Sequence, residues 1–270
     1  MQKFFNRVEV KEGYTPVVRQ NNIFKHIGEF GILRLTGGRS FKEICLEHET
    51  TLVVLSGTCS VSAGDKTWED IGSRRTVFDG LPTALYVPPG IQYSITSEEV
   101  EIGICKVRCR ANGGAPVLIT PDKVKVMQVG RDNWSREVRI MIGPDSPAQK
   151  MIIGETLNPP GNWSGTPPHK HENDNLPEES LHEELYYFRT DKPQGWGIER
   201  LYSSERNINE FIYLQNNTVT FMPWGYHQIV ASPGYTLYYL FFLAGNGTKL
   251  AGFEDRQHNW IKNMVMSEGS

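Results

Sequence analysis

Short runs of β-branched and aromatic residues, separated by turn residues, recur along the whole chain. They occupy residues 51–64, 84–87, 92–96 and 101–107, and then 185–188, 197–202, 218–222 and 235–243. We interpret the first run as two strands joined around Ser56 and Gly57. No apolar pattern with helical spacing exceeds about two turns. Strands at intervals of ~8–12 residues are typical of β-sandwiches and barrels, so we predict an all-β protein.

One turn motif occurs at the same place in both halves of the chain. Y-V-P-P-G-I-Q at 86–92 aligns with F-M-P-W-G-Y-H at 221–227, an offset of 135 residues in a chain of 270. P-x-G turns are common in β proteins, but the equal halves favour a duplication over chance. The turn-rich segment 110–122 then divides the chain into domains at 1–120 and 121–270. We expect 158–168, which is equally rich in turn formers, to be a loop.

Charge and composition exclude several classes of protein. The chain has 28 basic and 31 acidic residues, a balance too even for binding nucleic acid or a membrane surface through bulk charge. Its longest apolar stretch, 235–245, is about half of what a membrane helix needs, and its N-terminus shows no secretory signal. The four cysteines form no C-x-x-C pair, and we expect them reduced in a cytoplasmic protein. Whether the chain forms a homo-oligomer stays open.

Four side chains with metal-binding chemistry follow one another in the second half. His169 and His171 lie two apart in P-H-K-H, so both imidazoles can face one centre if this segment is a strand. Glu184 begins the aromatic run E-L-Y-Y-F, where an unpaired carboxylate would be costly. His227 follows the P-W-G turn. Alone, each histidine is more simply a surface or core residue; together, three nitrogens and one oxygen suit one divalent ion, Zn²⁺, Mn²⁺, Fe²⁺ or Ni²⁺.

These motifs resemble the two metal-binding motifs of the cupin superfamily. A wider set of segments is similar to the 5-deoxy-glucuronate isomerase family, and it covers nearly the whole chain: 78–80, 86–90, 154–164, 168–171, 186–187, 195–202, 223–227, 233–240 and 244–245. The interval between His171 and Glu184 is longer than the usual three or four residues. We choose Glu184 as the carboxylate because it directly precedes the L-Y-Y-F strand, but other residues compete: Glu172, Glu178, Glu179, His182 and Glu183.

The resemblance implies a bicupin of two β-barrels with one metal site, in the second barrel. The residues of the first half agree with this asymmetry. Gln92 stands at the position of His227, and Thr51 aligns with Glu184. No H-x-H occurs before residue 169, and His48 is isolated. We therefore expect the first barrel to have a structural or oligomeric role.

The resemblance also implies a reaction. It is the isomerisation of a small sugar acid, 5-deoxy-D-glucuronate, to 5-dehydro-2-deoxy-D-gluconate in myo-inositol degradation. Proton transfer next to the carbonyl requires a general base, and Glu183, His182 and Glu199 are candidates. A hydride shift would need none of them.

The distal carboxylate of that substrate requires a cation. We choose Arg200, because a guanidinium pairs bidentately with a carboxylate; strand alternation from Glu184 turns the alternatives Arg189 and Lys170 outward. Tyr186 shares the face of Glu184, and Tyr239 or its neighbour Tyr238 is expected on the far wall.

Three alternatives use the same ligands. They are a 5-keto-4-deoxyuronate isomerase, an Fe-dependent dioxygenase and a non-catalytic metabolite-binding cupin. The long interval before Glu184 and the N-P-P-G-N-W segment at 158–163 favour the inositol-pathway enzyme. The chain shows no helix-turn-helix pattern and no basic segment, which argues against a transcription regulator.

Overall fold

Nearly all regular structure in the protein is β-strand, as the sequence predicts. The computed structural model describes residues 4–19, 23–110 and 113–264. The first part contains β1 Phe5–Arg7, β2 Gly13–Val18, β3 Ile27–Ile44, β4 His48–Ala63, β5 Lys66–Ile71, β6 Thr83–Val87, β7 Gln92–Arg108 and β8 Val117–Ile119. The second part contains β9 Lys125–Val129, β10 Arg136–Ile142, β11 Met151–Asn158, β12 Trp163–Lys170, β13 His182–Thr190, β14 Gly197–Ser203, β15 Ile208–Leu214, β16 Thr218–Met222, β17 Tyr226–Ala231, β18 Leu237–Gly245 and β19 Phe253–Glu254.

The helical elements within the described ranges are three short 3₁₀ turns, Pro121–Lys123, Asp132–Trp134 and Asn259–Asn263. None of the helices in this part of the chain has the length and apolar character needed to cross a membrane.

The strands form three antiparallel sheets. The first barrel is one sheet in the order β2-β3-β7-β4-β6-β8, with β5 paired to β4. The second barrel combines a sheet in the order β1-β16-β13-β18-β11-β10-β9 with a sheet in the order β15-β14-β17-β12-β19. Each barrel encloses its own apolar core, and a third core lies between the barrels.

Strand alternation explains how the same strands serve two cores. In β4, Leu52 and Val54 face the interior of the first barrel, whereas Val53 and Leu55 face the core between the barrels. All nine residues of β18 are buried for the same reason. Strands buried on both faces read as continuous apolar runs, and this accounts for the unbroken apolar segment near residue 240.

Several elements differ from the sequence expectation. Residues 48–63 form one strand, not two: Gly57 adopts a φ of +82° inside it, and a Cβ there would lie 2.2 Å from the Glu99 carbonyl oxygen. Only a glycine lets the strand bend here without ending. β7 likewise runs unbroken through 92–108. The expected loop at 158–168 shrinks to 159–162, because β12 starts at Trp163.

The N-terminal segment crosses to the second barrel. β1 pairs with β16, and Phe4 packs in the second core with its ring centroid 5.4 Å from that of Trp224. A division of the chain at residue 120 falls between β8 and β9. It assigns β1 to the first domain, although β1 belongs to a sheet of the second barrel.

Buried charged side chains connect the two barrels. Glu155 on β11 accepts hydrogen bonds from Arg74 Nη1 at 2.9 Å and Nη2 at 3.0 Å, from Arg139 Nη1 at 2.9 Å and from the Tyr238 hydroxyl at 3.0 Å. Arg74 belongs to the first barrel, and the other three residues belong to the second. Since Glu155 is fully buried, the arginines neutralise a charge that would otherwise be expensive to bury.

Candidate metal centre

Three histidines converge inside the second barrel. His169 on β12 lies directly opposite His227 on β17 in the ladder, and His171 follows the end of β12. One ring nitrogen from each lies within 4.8 Å of the others. Among the described residues, these three histidines form the one group of at least three metal-binding side chains that lie close enough together to hold an ion. The structure therefore brings together the three histidines that the sequence singled out.

Glu184 reaches the same centre from the facing sheet. Its Oε2 lies 2.9 Å from His171 Nε2 and 3.2 Å from His227 Nε2. Burial opposes ionisation of this carboxyl, but the hydrogen bond from His171 and the close approach of His227 outweigh burial and hold the pKa of Glu184 well below its usual value. The pKa of His169 falls to about 3, mainly through burial and then through the charges of the other two histidines. The centre thus pairs an anionic carboxylate with a neutral imidazole.

The donor set fits a divalent metal ion. His171 Nδ1 lies 2.7 Å from the carbonyl oxygen of His182, which turns Nε2 toward the centre, as outer partners of metal-bound histidines do. His227 Nε2 is fully buried and has no well-aligned hydrogen-bond partner among the described residues. An unpartnered buried nitrogen is costly unless something else binds it. These observations are what a three-histidine, one-carboxylate ion site requires.

Three of the competing carboxylates bind other partners, outside the metal centre. Glu172 pairs with Lys170 at 2.5 Å, and Glu179 accepts hydrogen bonds from the backbone of residues 172 and 173. Glu183 faces the opposite side of β13 from Glu184, where it accepts hydrogen bonds from the backbone N–H groups of residues 25–27 in the first barrel. The expectation that Glu183 acts as a base at the site is therefore wrong.

A cavity of about 140 Å³ lies against the histidines. Tyr186 and Tyr239 line it, and their ring centroids lie 4.8 Å apart. The Tyr239 hydroxyl bonds to the Ser164 hydroxyl at the cavity wall. Tyr238 faces the other way and contacts Glu155 between the barrels, because successive side chains of β18 alternate. Both tyrosines named as substrate residues thus border the centre.

A larger opening of about 500 Å³ begins beside His169. Its lining includes Arg131, Trp134, Thr166, Glu254 and Lys262. His169, Gly165 and Arg136 line both this opening and the inner cavity, so the two spaces adjoin on the His169 side of the centre.

The other two base candidates differ in their surroundings. His182 has both ring nitrogens engaged, one 3.0 Å from the Ser180 hydroxyl and the other 3.0 Å from the Gly247 carbonyl oxygen. Glu199 on β14 is 0% exposed, and neither of its oxygens has a well-aligned hydrogen-bond partner within the described ranges. Burial raises the pKa of Glu199 to about 8, although the Thr220 hydroxyl opposes the shift. Its carboxyl is inside the barrel but does not line the cavity.

Arg200 does not face the cavity. Its neighbours Glu199 and Leu201 point inward, so alternation turns Arg200 to the outer face of the sheet. There it lies 4.0 Å from the Tyr202 ring centroid and donates to Asn209 Oδ1 at 2.8 Å. The expectation that Arg200 binds the substrate carboxylate is wrong for this reason.

The arginine that does line the cavity, Arg136, was missed. It is the first residue of β10, and the segment 136–142 is not among the strands that the sequence predicts. Arg189 and Lys170 lie outside the cavity, paired with Glu101 and Glu172.

The first barrel has a different interior. Buried Lys106 lies 2.7 Å from Glu29 and 2.6 Å from Glu43. Thr51 faces the interface, where its hydroxyl lies 3.1 Å from Met151 Sδ. Thr50, one residue earlier, shares the inward face of β4, so the alignment of Thr51 with Glu184 is shifted by one residue.

Two β-barrels packed face to face, with three histidines and a glutamate inside the second, define a bicupin with a candidate metal centre. The chain belongs to the KduI/IolB family, whose model matches residues 4–261.

Relatives and solved structures agree with this assignment. The chain is 34% identical to a 5-deoxy-glucuronate isomerase of Geobacillus kaustophilus over 88% of this chain and 86% of the relative. It is 33% identical to another from Halalkalibacterium halodurans, over 94% and 96%. An IolB-like protein of Salmonella typhimurium superposes with a TM-score of 0.92, at 27% identity over 97% of this chain and all of that one. An oxalate decarboxylase of Lactobacillus farciminis, 12% identical over 98% and 91%, shares the fold with a TM-score of 0.68.

Proposed function

We propose that this protein is a 5-deoxy-glucuronate isomerase that converts 5-deoxy-D-glucuronate into 5-dehydro-2-deoxy-D-gluconate. The observation that carries the proposal is the buried cluster of three histidines and Glu184 beside a cavity inside the second barrel. Relatives of this name that align over most of the chain support the choice of substrate. The reaction is an aldose–ketose isomerisation, in which the substrate loses a hydrogen at C2 and gains one at C1, while a proton moves from the C2 oxygen to the C1 oxygen.

We infer that His169, His171, His227 and Glu184 hold one divalent ion, with Zn²⁺, Mn²⁺ and Fe²⁺ as the candidates. Such an ion, when bound, acts as a Lewis acid toward the carbonyl and the neighbouring hydroxyl. The protein residues position the substrate around it. Tyr186 and Tyr239 offer hydroxyl groups along the wall, and Ile229, Phe241 and Leu243 make the rest of this wall apolar.

Among the base candidates, Glu199 is the one with an uncommitted carboxyl inside the barrel, although it lies behind the residues that line the cavity. The carboxyl of Glu183 is bound to the first barrel, and both nitrogens of His182 are engaged. Glu199 is buried on the inner face of β14 and lacks a well-aligned partner in the described part of the chain. A carboxyl whose pKa is about 8 can both accept and return a proton near neutral pH.

The experiment is a metal-reconstituted assay followed by NMR. The protein is loaded separately with Zn²⁺, Mn²⁺ and Fe²⁺ and mixed with 5-deoxy-D-glucuronate, and we expect the aldehyde signal to disappear as the ketone forms. In D₂O, deuterium in the hydroxymethyl group of the product, which was C1 of the substrate, indicates proton transfer, and its absence indicates a hydride shift. Stoichiometric metal without turnover would overturn the proposal.

The alternatives are separate outcomes of the same assay. Turnover of 5-keto-4-deoxyuronate instead would indicate the related isomerase. Oxygen uptake by the Fe²⁺ form would indicate a dioxygenase, and binding without turnover would indicate a metabolite-binding cupin.

We also propose that the reaction occurs in the cytoplasm as a step of myo-inositol degradation. Four free, buried cysteines support a reducing compartment.

A further inference from the structure

Arg136 is the cation shared by the inner cavity and its opening. It is the first residue of β10, and it borders the space around His169, Tyr186 and Tyr239 as well as the larger opening. Arg136 therefore lies close enough to contact a ligand that occupies the cavity.

Most hydrogen-bond donors of the Arg136 guanidinium have no partner among the described residues. Its Nε is buried and has no hydrogen-bond partner among the described residues. Its Nη1 makes one long bond, 3.4 Å, to the Trp134 carbonyl oxygen. No ion pair involves Arg136 in the ranges that the structure describes. A guanidinium carries five donors in a planar fork, so most of this fork is available to a ligand.

The other cations of the opening are already engaged. Arg131 bonds to the carbonyl oxygens of Lys262 and Met264 and lies 5.4 Å from the Trp134 ring centroid. Lys262 pairs with Glu254 at 2.5 Å. Gly130 leaves the space beside Arg136 open, since a Cβ there would lie 3.0 Å from Arg136 Nη1.

We propose that Arg136 binds the carboxylate of the substrate and orients it with the C1–C2 end toward the histidines. This inference rests on the proposed function, because the substrate named there carries its carboxylate at the end opposite the reacting carbons. A guanidinium fork matches a carboxylate in two parallel hydrogen bonds. The partly desolvated Arg136 gains its missing partner when the ligand binds, which favours an acid over a neutral sugar.

The test compares two substrates in matched variants. The acid is 5-deoxy-D-glucuronate, and its neutral counterpart is 5-deoxy-D-glucose, which has a hydroxymethyl group in place of the carboxylate. We expect Arg136→Met to lower kcat/KM for the acid by about 10²-fold, mainly through KM, and to leave that for the neutral sugar unchanged. Arg136→Lys keeps the charge without the fork, and we expect an intermediate loss of about 10-fold. Arg200→Met, on the outer face, is the matched control and should match wild type.

Calorimetry on the metal-free protein supplies a readout that is independent of turnover. Wild type should bind the acid more tightly than the neutral sugar, and Arg136→Met should remove this difference. Equal losses for both substrates, or no loss for the acid in either Arg136 variant, would overturn the inference. An inactive wild type would overturn the proposed function, whereas the calorimetric preference for the acid would still decide the role of Arg136.

Discussion

Glu183 and Glu184 are adjacent in the chain, yet their carboxylates lie on opposite faces of β13. Glu184 contacts His171 and His227, whereas Glu183 accepts hydrogen bonds from three backbone N–H groups of the first barrel. Strand alternation separates them. This pair provides a matched comparison for the proposed ligand set.

We predict that Glu184→Gln and His171→Ala each weaken metal binding by more than ~10²-fold, since losing even an outer partner of a ligand costs ~10–100-fold. Glu183→Gln should retain the metal, because its carboxylate faces the other barrel. Elemental analysis of the purified variants measures this. Full occupancy in both Glu184→Gln and His171→Ala would contradict the ligand assignment, and Gln92→Ala in the first barrel is a second control.

The buried acid Glu199 predicts a pH dependence of stability. Its pKa is about 8 in the folded chain, against 4.5 as the ordinary value, so the folded protein retains a proton that the unfolded chain has lost between these pH values. The contribution to stability is complete below pH ~4.5 and is lost as pH rises toward 8, by at most about 1.4 kcal/mol per pH unit.

Glu199→Gln should remove this slope. We expect the free energy of unfolding of the metal-free variant to fall less than that of wild type between pH 5 and 8, as measured by denaturant titration. Parallel curves for the two proteins would show that Glu199 does not hold a proton in the folded state.

At the scale of elements, glycines decide whether long strands stay continuous. β4 pairs with β7 across a register shift near Ser56 and Gly57, and Gly57 has both a positive φ and a close backbone neighbour. Gly90 has a similar φ of +85° but nothing within 4 Å of a Cβ. Substitutions at these two positions therefore distinguish the cost of backbone strain from the cost of steric conflict.

We predict that Gly90→Ala destabilises the fold by about 1–2 kcal/mol through strain alone. Gly57→Ala should cost a further ~1–3 kcal/mol, because its Cβ would lie 2.2 Å from the Glu99 carbonyl oxygen. Chemical denaturation compares the two variants. Equal costs would mean that β4 relaxes around the added methyl group.

At the scale of the whole molecule, the barrels are joined by an apolar core that contains charges. Arg74 is buried against Glu155, whereas its neighbour Arg75 is 89% exposed and lies 3.7 Å from Asp79. The two adjacent arginines thus represent a buried and a surface ion pair.

We predict that Arg74→Met destabilises the protein by about 3–5 kcal/mol, since it leaves part of a buried carboxylate charge uncompensated. Arg75→Met should cost less than ~1 kcal/mol. Adding Glu155→Met to Arg74→Met should recover part of the loss, because it removes the carboxylate that Arg74 no longer neutralises, while Arg139 keeps its ion pair with Glu137. Unfolding midpoints measure all three variants, and similar values for Arg74→Met and Arg75→Met would show that this contact does not hold the barrels together.

The all-β class and the division into two similar halves could be predicted from the sequence, because β-branched runs, turn residues and the repeated P-x-G motif are local signals. The two-barrel fold was what the resemblance to the cupin superfamily implied. The set of His169, His171, Glu184 and His227 could also be chosen in advance, from the P-H-K-H run, from the P-W-G turn before His227, and from the resemblance to the cupin motifs that selected Glu184. The structure places these four side chains together, and their role as ligands stays a prediction that metal analysis decides.

The direction of the charged side chains was decided only by the tertiary structure. Alternation tells which residues share a face but not which face is inside, and in β4, β13 and β18 both faces are buried. Glu183 is therefore buried as deeply as Glu184 while serving the interface between the barrels. The position of an arginine at the cavity depends on how β10 packs beside β11, a contact between segments that no local pattern specifies. For that reason the sequence pointed to Arg200, whereas the fold places Arg136 beside the histidines.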